Sequence, residues 1–400
     1  MKKSTLSRSL QLAAAVVVLM FAGIIYAWSN ISGPLSELGW AGSALTFNYT
    51  LTIWFFCIGG LVSGFMAKKF SVRFRIILAA IMLTAGFVIT STLDVGSSIF
   101  LLYVAYGFLA GFGIGIVYNA VIAAVSAHFP DKKGLCSGLL MMGFGIGSFI
   151  IGLVSSNILQ NGILDWRTLY RILGIASGGV IFLGAFLISP PQTDGKSAVS
   201  VKSAASDGDM TPKQMTARAS FWKLFIFFVL FSAVGSSALA LSRSFCSSLS
   251  IAPATAAVIA ALVSVSNSAG RLASGAIFDK LGLQKTKYVT SAVAIIGPLL
   301  ALVGIAVSSM VLAMIGLFLC GFSYGFSPTV SAAFTMEFYG KTNYGANLGI
   351  INLVLIPGAF VPTLASMMVS SFGGSFVPVF SMLLVFSLVG LIIIRSVKEA

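Results

Sequence analysis

The stretch "SVSNSAGRLASGAIFDKLG", residues 264–282, places Arg271 inside a long apolar run. The next charge along the chain is Asp279, about 12 Å further along a helix axis at 1.5 Å per residue. A guanidinium does not deprotonate, so in hydrocarbon it costs roughly 3 kcal/mol or more unless it faces water or finds a partner. No carboxylate occurs at its depth in any apolar run, and the favoured counter-charge is a small anion from solution. An arginine reaching the aqueous surface, or one bonding helix carbonyls, is the alternative. Neutral polar residues fall at similar depth elsewhere: Tyr26 and Asn30, Tyr118 and Asn119, Asn267 one turn before Arg271, Tyr324, and Asn347 and Asn352. Hydroxyls and amides orient a carboxylate and bond a neighbouring hydroxyl or keto oxygen. Each taken singly serves equally well as a hydrogen bond between helices. Trp28, Trp54 and Phe144 read as packing residues.

Other chemistry is excluded by what the chain lacks. It has no phosphate-binding Walker loop, no HExxH, no nucleophile elbow and no carboxylate pair within an apolar run. The glycine-rich "GFGIGIVYNA" (111–120) and "GFGIGSFIIG" (143–152) lack the preceding strand and downstream acid of a dinucleotide site. They suit close helix packing. Cys57, Cys136, Cys246 and Cys320 are scattered without a CxxC pair and read as small packing residues. His128, the single histidine, lies in the hydrophilic "AHFPDKKG" and reads as a solvated loop residue. No metal and no cofactor is expected, and no enzyme activity.

The elements that hold these residues are dictated by composition. Charged residues are 8% of 400 and hydrophobic ones 58%, with mean hydropathy +1.03, far from the roughly 25% charge of a soluble domain. An all-α membrane protein follows, with apolar runs that recur at the length needed to cross about 30 Å of hydrocarbon. The N-terminal run resembles a signal peptide but continues past any small-x-small site and reads as an uncleaved first helix. Cutting at polar loops gives twelve spans, six before and six after "SPPQTDGKSAVSVKSAASDGDMTPKQMTARAS". The expected division is 1–188, a linker 189–219, and 220–400. Six plus six is the layout of parallel-repeat carriers. With the N-terminus inside, about 20 of the 24 basic residues fall on the cytoplasmic side, and both termini are placed there. The net charge of +14 is thus topological, and with no basic stripe interleaved with aromatics, no nucleic-acid partner is expected.

Two loops echo each other. "GFMAKKFSVRFR" (64–75) follows the second span and "GAIFDKLGLQKTK" (275–287) the eighth. The second resembles the major facilitator loop pattern, with Asp279, Lys280 and Gly282 at their places as a gating loop. In the first, Lys68 stands where the pattern has Asp and Ser71 where it has Gly.

The segments "GIIYAWSN", "GIGIVYNAVIAAVSAHFPDKKGLCSGLLMMGFGIGS" and "SYGFSPTVSAAFTMEFYG" resemble the oxalate/formate antiporter family, a branch of the major facilitator superfamily related to monocarboxylate transporters. The resemblance implies the major facilitator fold, twelve helices in two pseudo-symmetric bundles that rock about a site between them. It implies a secondary carrier for small carboxylates in the cytoplasmic membrane. Arg271 matches the family's carboxylate-binding arginine, and Tyr26, Trp28, Tyr118 and Tyr324 match aromatic positions near the site; Asn119, Asn267 and Asn352 complete the candidate set. Where the oxalate exchanger has a lysine, "NYGANLGIINL" has Ile351. One cation in place of two leaves a dianion half neutralised, so a monocarboxylate such as lactate, pyruvate or formate is expected, by proton symport or by anion exchange. The expected partners are that anion, a proton in the case of symport, and lipid, with the chain a monomer. A carrier exporting an amphipathic solute and a carboxylate-binding membrane sensor are the alternatives.

Overall fold

The computed structural model describes residues 7–190 and 209–397, and every regular element among them is helical. The spans are α1 Arg8–Ala27, α2 Gly42–Met66, α3 Val72–Thr90, α4 Ile99–Ser126, α5 Lys133–Gln160 and α6 Trp166–Leu187. After the polar connection come α7 Ala219–Ser248, a helical stretch Pro253–Ala306, α10 Met310–Tyr339, α11 Tyr344–Ser371 and α12 Val377–Arg395. The stretch Pro253–Ala306 is two helices, α8 (253–281) and α9 (283–306), parted at Gly282 with φ 70° and ψ 178°. The described residues therefore hold the twelve membrane-crossing helices that the sequence predicts. Of the expected linker, residues 191–208 lie outside the described residues, as does the side chain of Asn30.

Polar residues at the ends start the helices. Ser7, Ser71 and Asp165 accept from the backbone N–H three residues on, which satisfies donors that a helix leaves open. Regular α geometry gives way within three spans: a 3₁₀ turn over Gly23–Ala27 in α1, a π stretch over Tyr103–Ala110 in α4, and in α11 a 3₁₀ turn over Asn352–Val354 followed by a turn at Ala359–Phe360.

The described residues form two compact units. Unit one takes in those up to Asp131, those from Gly143 to Asp209, and Tyr339–Leu353. In it α2 packs on α4, α3 on α4 and α6, and the start of α11 on α2. A Cβ on Gly115 of α4 would stand 2.0 Å from the Phe56 carbonyl oxygen of α2, so only glycine permits that approach. Asp209 closes this unit from the polar connection, accepting the Lys341 N–H at 2.7 Å and the Thr342 hydroxyl, in the turn before α11. Unit two takes in Lys132–Met142, Met210–Phe338 and the residues from Val354 onward. Here α7 packs on the α8–α9 stretch and on α12, around a core of Phe245, Phe376, Phe380, Leu383, Cys246 and Cys320. All four cysteines are buried free thiols.

Two loop cations from the sequence reading are buried instead. Arg75 is 4% exposed and Lys287 3%. Arg75 Nη1 donates to the Ser63 carbonyl near the end of α2 at 2.9 Å, and Lys287 Nζ to the Val397 carbonyl just beyond α12 at 3.0 Å. Both cations sit at the C-terminal ends of helices, where the macrodipole favours a positive charge.

Gly282 occupies a backbone region essentially reserved for glycine, while an added Cβ meets no atom within 4 Å. Gly282→Ala is therefore expected to lower stability by about 1–3 kcal/mol through the backbone alone. Gly33→Ala, equally uncrowded at a residue without positive φ, should stay within about 0.5 kcal/mol. Thermal unfolding of the purified protein compares the two.

Candidate functional site

In unit two, Arg271 sits in the middle of α8 and is 3% exposed. Its Nη1 donates to the Met141 carbonyl at 2.8 Å, and its Nε has no hydrogen-bond partner. Asn267, one turn earlier and 7% exposed, leaves Oδ1 without a partner. The buried charged residues among those described are Arg75, Arg271 and Lys287, all cations. Arg271 differs from the other two in position: its partner Met141 lies well inside α5 rather than at a helix end, and the helical ladder already claims that carbonyl. The guanidinium receives only the second lone pair of an occupied acceptor. No salt bridge joins it to a carboxylate among the described residues.

Close backbone approach makes this placement possible. A Cβ on Gly138 of α5 would stand 2.7 Å from the Arg271 carbonyl oxygen, and one on Gly325 of α10 2.6 Å from the Arg271 amide nitrogen. Thr329 on α10 donates its hydroxyl to the Arg271 carbonyl at 3.2 Å. Tyr324 precedes Gly325, and its Cβ fills the space above Gly235 of α7. Arg271, Asn267 and Tyr324 thus share one stretch of unit two, where α8 is pressed between α5 and α10.

The same helix pair is pinned at its end. Asp279 accepts the N–H groups of Gly134 and Leu135 at 2.8 and 2.7 Å, so its carboxylate caps the first turn of α5. Gly275 and Gly134 bring the two backbones together there. Lys280 is exposed beside this cap, and Gly282 supplies the reversal that follows.

The remaining candidates belong to unit one. Tyr26 and Tyr118 both stack edge-on against Phe144, with centroids 5.6 and 5.1 Å away, and Phe56 lies 5.1 Å from Tyr118. The structure does not bring Trp28 to them: it packs at 4.5 Å on Tyr106, which neighbours Phe87 and Tyr170. Asn119 donates Nδ2 to the Gly345 carbonyl at 2.9 Å, tying α4 to the start of α11. Asn352 sits in the 3₁₀ turn, its carbonyl accepting the Cys57 thiol at 3.5 Å. His128 places Nε2 2.8 Å from the Ser189 carbonyl. No cluster suited to a metal occurs among the described residues. Two participants escape sequence reasoning: Met141 acts through its backbone, and Phe144 is the hub that unites the two tyrosines. Gly138, one turn from Met141, is the sequence trace of the first.

Twelve apolar helices, with a cation buried in mid-helix in one unit and neutral polar side chains in both, describe a membrane carrier. The chain belongs to the Major Facilitator Superfamily, whose family model matches residues 12–356, and it is a multi-pass secondary transporter rather than an enzyme. It is similar to the oxalate:formate antiporter of Oxalobacter formigenes, 27% identical over 338 residues that cover 83% of this chain and 78% of that one. The uncharacterized MFS-type transporter YhjX of Escherichia coli is 25% identical over 87% of this chain and 84% of its own. Human monocarboxylate transporter 2 matches 47% of this chain at 25% identity. Among solved structures, the proton:xylose symporter XylE superposes with TM-score 0.73 at 13% identity, covering 98% and 97% of the two chains. The fucose:proton symporter FucP superposes with TM-score 0.69 at 17%. These last two show the fold alone.

Asp279→Ala is expected to cost about 0.5–2 kcal/mol of stability, the usual loss for an N-terminal cap, and to speed hydrogen exchange at Gly134 and Leu135. Asp279→Asn, which keeps one acceptor oxygen, should fall between. Hydrogen-exchange mass spectrometry over 130–140 reads the difference.

Proposed function

We propose that the protein moves a small monocarboxylate, of the lactate, pyruvate or formate type, across the cytoplasmic membrane by alternating access. The observation that carries this reading is the Arg271 guanidinium: buried, held by one carbonyl, with Nε unpartnered and no buried acid among the described residues to neutralise it. With Nη1 committed to Met141, the carboxylate takes the Nε/Nη2 edge in a side-on bidentate pair. Asn267, whose amide oxygen and nitrogen are exchanged by a simple flip, then meets a hydroxyl, keto or second carboxylate oxygen. Tyr324 contacts the same solute from α10, and Tyr26 and Tyr118 are read as solute-contacting residues of unit one. Binding a monoanion removes the desolvation penalty of the lone cation.

Support for the substrate class comes from the relatives, whose names specify oxalate, formate and monocarboxylates. The distribution of basic residues supports both termini lying in the cytoplasm. Coupling to a proton and exchange of one carboxylate for another are both compatible with a site that lacks a buried acid.

Counterflow of labelled lactate, pyruvate, formate and oxalate in proteoliposomes tests the reading. Wild-type protein is expected to move at least one monocarboxylate. Arg271→Gln should reduce that rate by about 100-fold, the loss expected for a buried charge-assisted pair, and Arg271→Lys should weaken it less, since an ammonium lacks the fork. Carboxylate flux that survives Arg271→Gln overturns the assignment. Ile351→Lys, which adds a second cation to a buried position, is expected to improve handling of oxalate relative to the monoanions.

A further inference from the structure

Unit one carries an open groove between α3 and α6, lined by Ala80, Ile81, Thr84, Val88, Gly179 and Phe182. Its floor is set by tight contact. A Cβ on Gly178 would lie 1.8 Å from Thr84 Oγ1 and 3.2 Å from the Ala80 carbonyl oxygen, and Thr84 donates to the Gly174 carbonyl at 3.2 Å. Gly179 does the opposite, since a Cβ there meets no atom within 4 Å. Adjacent glycines therefore draw the helices together and leave a furrow beside the seam. The wall is almost wholly apolar, and 42% of Phe182 and 60% of Ile81 stay exposed.

One end of this furrow is cationic. Phe182 meets Phe186 edge-on at 5.4 Å, and the Arg73 guanidinium lies over the Phe186 ring at 4.9 Å, its Nε 3.4 Å from the Ala185 carbonyl. Arg73 is exposed and belongs to the turn and first residues of α3 that also hold exposed Lys68 and Lys69. In the same turn Phe70 stacks on Phe74 at 4.9 Å, each more than 40% exposed. Exposed aromatics beside cations are the signature of a membrane–water interface. An apolar furrow that runs to a basic end has the polarity of a phospholipid, tail in the hydrocarbon and phosphate at the surface.

We propose that this groove is a binding site for one anionic phospholipid. An acyl chain lies along Ala80, Thr84 and Gly179, and the headgroup phosphate pairs with Arg73, with Lys68 and Lys69 adding to the local field. Charge complementarity selects an anionic headgroup over a zwitterionic one: residues 68–73 carry three exposed cations, Lys68, Lys69 and Arg73, and no acid.

The test is native mass spectrometry of the full chain released from micelles containing equal amounts of phosphatidylglycerol and phosphatidylcholine, alongside thermal unfolding in each lipid. The expected result is one retained phosphatidylglycerol, preferred over phosphatidylcholine by about fivefold or more, the scale of a single basic residue at an anionic surface. Arg73→Gln should abolish the preference and Arg73→Lys keep it. Gly179→Leu, which fills the furrow without a clash at Cβ, should release the lipid while the protein still folds. Equal retention of both lipids, a preference unchanged by Arg73→Gln, or a lipid that survives Gly179→Leu overturns the proposal. So does a dimer cross-linked through Phe182, which would assign the groove to a second copy of the chain. None of these readouts depends on the transported solute.

Discussion

A buried guanidinium with a single borrowed carbonyl is the constraint around which unit two is organised. For Arg271 to reach Met141, α8 and the start of α5 must run almost backbone to backbone, which Gly134, Gly138 and Gly275 permit. The pairing is secured where Asp279 caps α5. The charge and its clamp are therefore parts of one helix–helix seam, and a change at either end is felt along it. The seam also explains why the arginine stays below the surface: its main chain is gripped from α10 as well, through Gly325 and Thr329.

Unit one solves a different problem. Its buried cation, Arg75, is absorbed by the end of α2 and is structural. Its aromatic residues sort into two groups, one around Phe144 that contains Tyr26 and Tyr118, the other around Tyr106 that contains Trp28. Two residues apart in sequence, Tyr26 and Trp28 part company because two helical steps turn them to nearly opposite sides, in the 3₁₀ turn at Gly23–Ala27 as in an α-helix.

The helices were legible because each span has to be apolar over about twenty residues, and the polar breaks between them are short and charged. Arg271 was legible for the same reason: nothing else of its kind occurs deep in an apolar run. The partner on the other side of the bond was not, because a backbone carbonyl leaves no mark in side-chain identity. Arg75 and Lys287 were read as loop charge because their distance from the polar turns is short, and burial there depends on how a neighbouring helix ends. The break between α8 and α9 was legible, since the charged loop 275–287 marks it and Gly282 supplies the turn.

The turn before α11 is assembled from chain segments that are remote in sequence. The loop after α2 lacks the acid that its counterpart after α8 supplies, and has Lys68 at that position. A carboxylate nonetheless reaches the neighbourhood, carried by Asp209 from the connection between the halves. A pattern search that walks the chain in order would score this corner as degenerate. In three dimensions an acid distant in sequence, Asp209, supplies a carboxylate at the turn before α11 and fastens it.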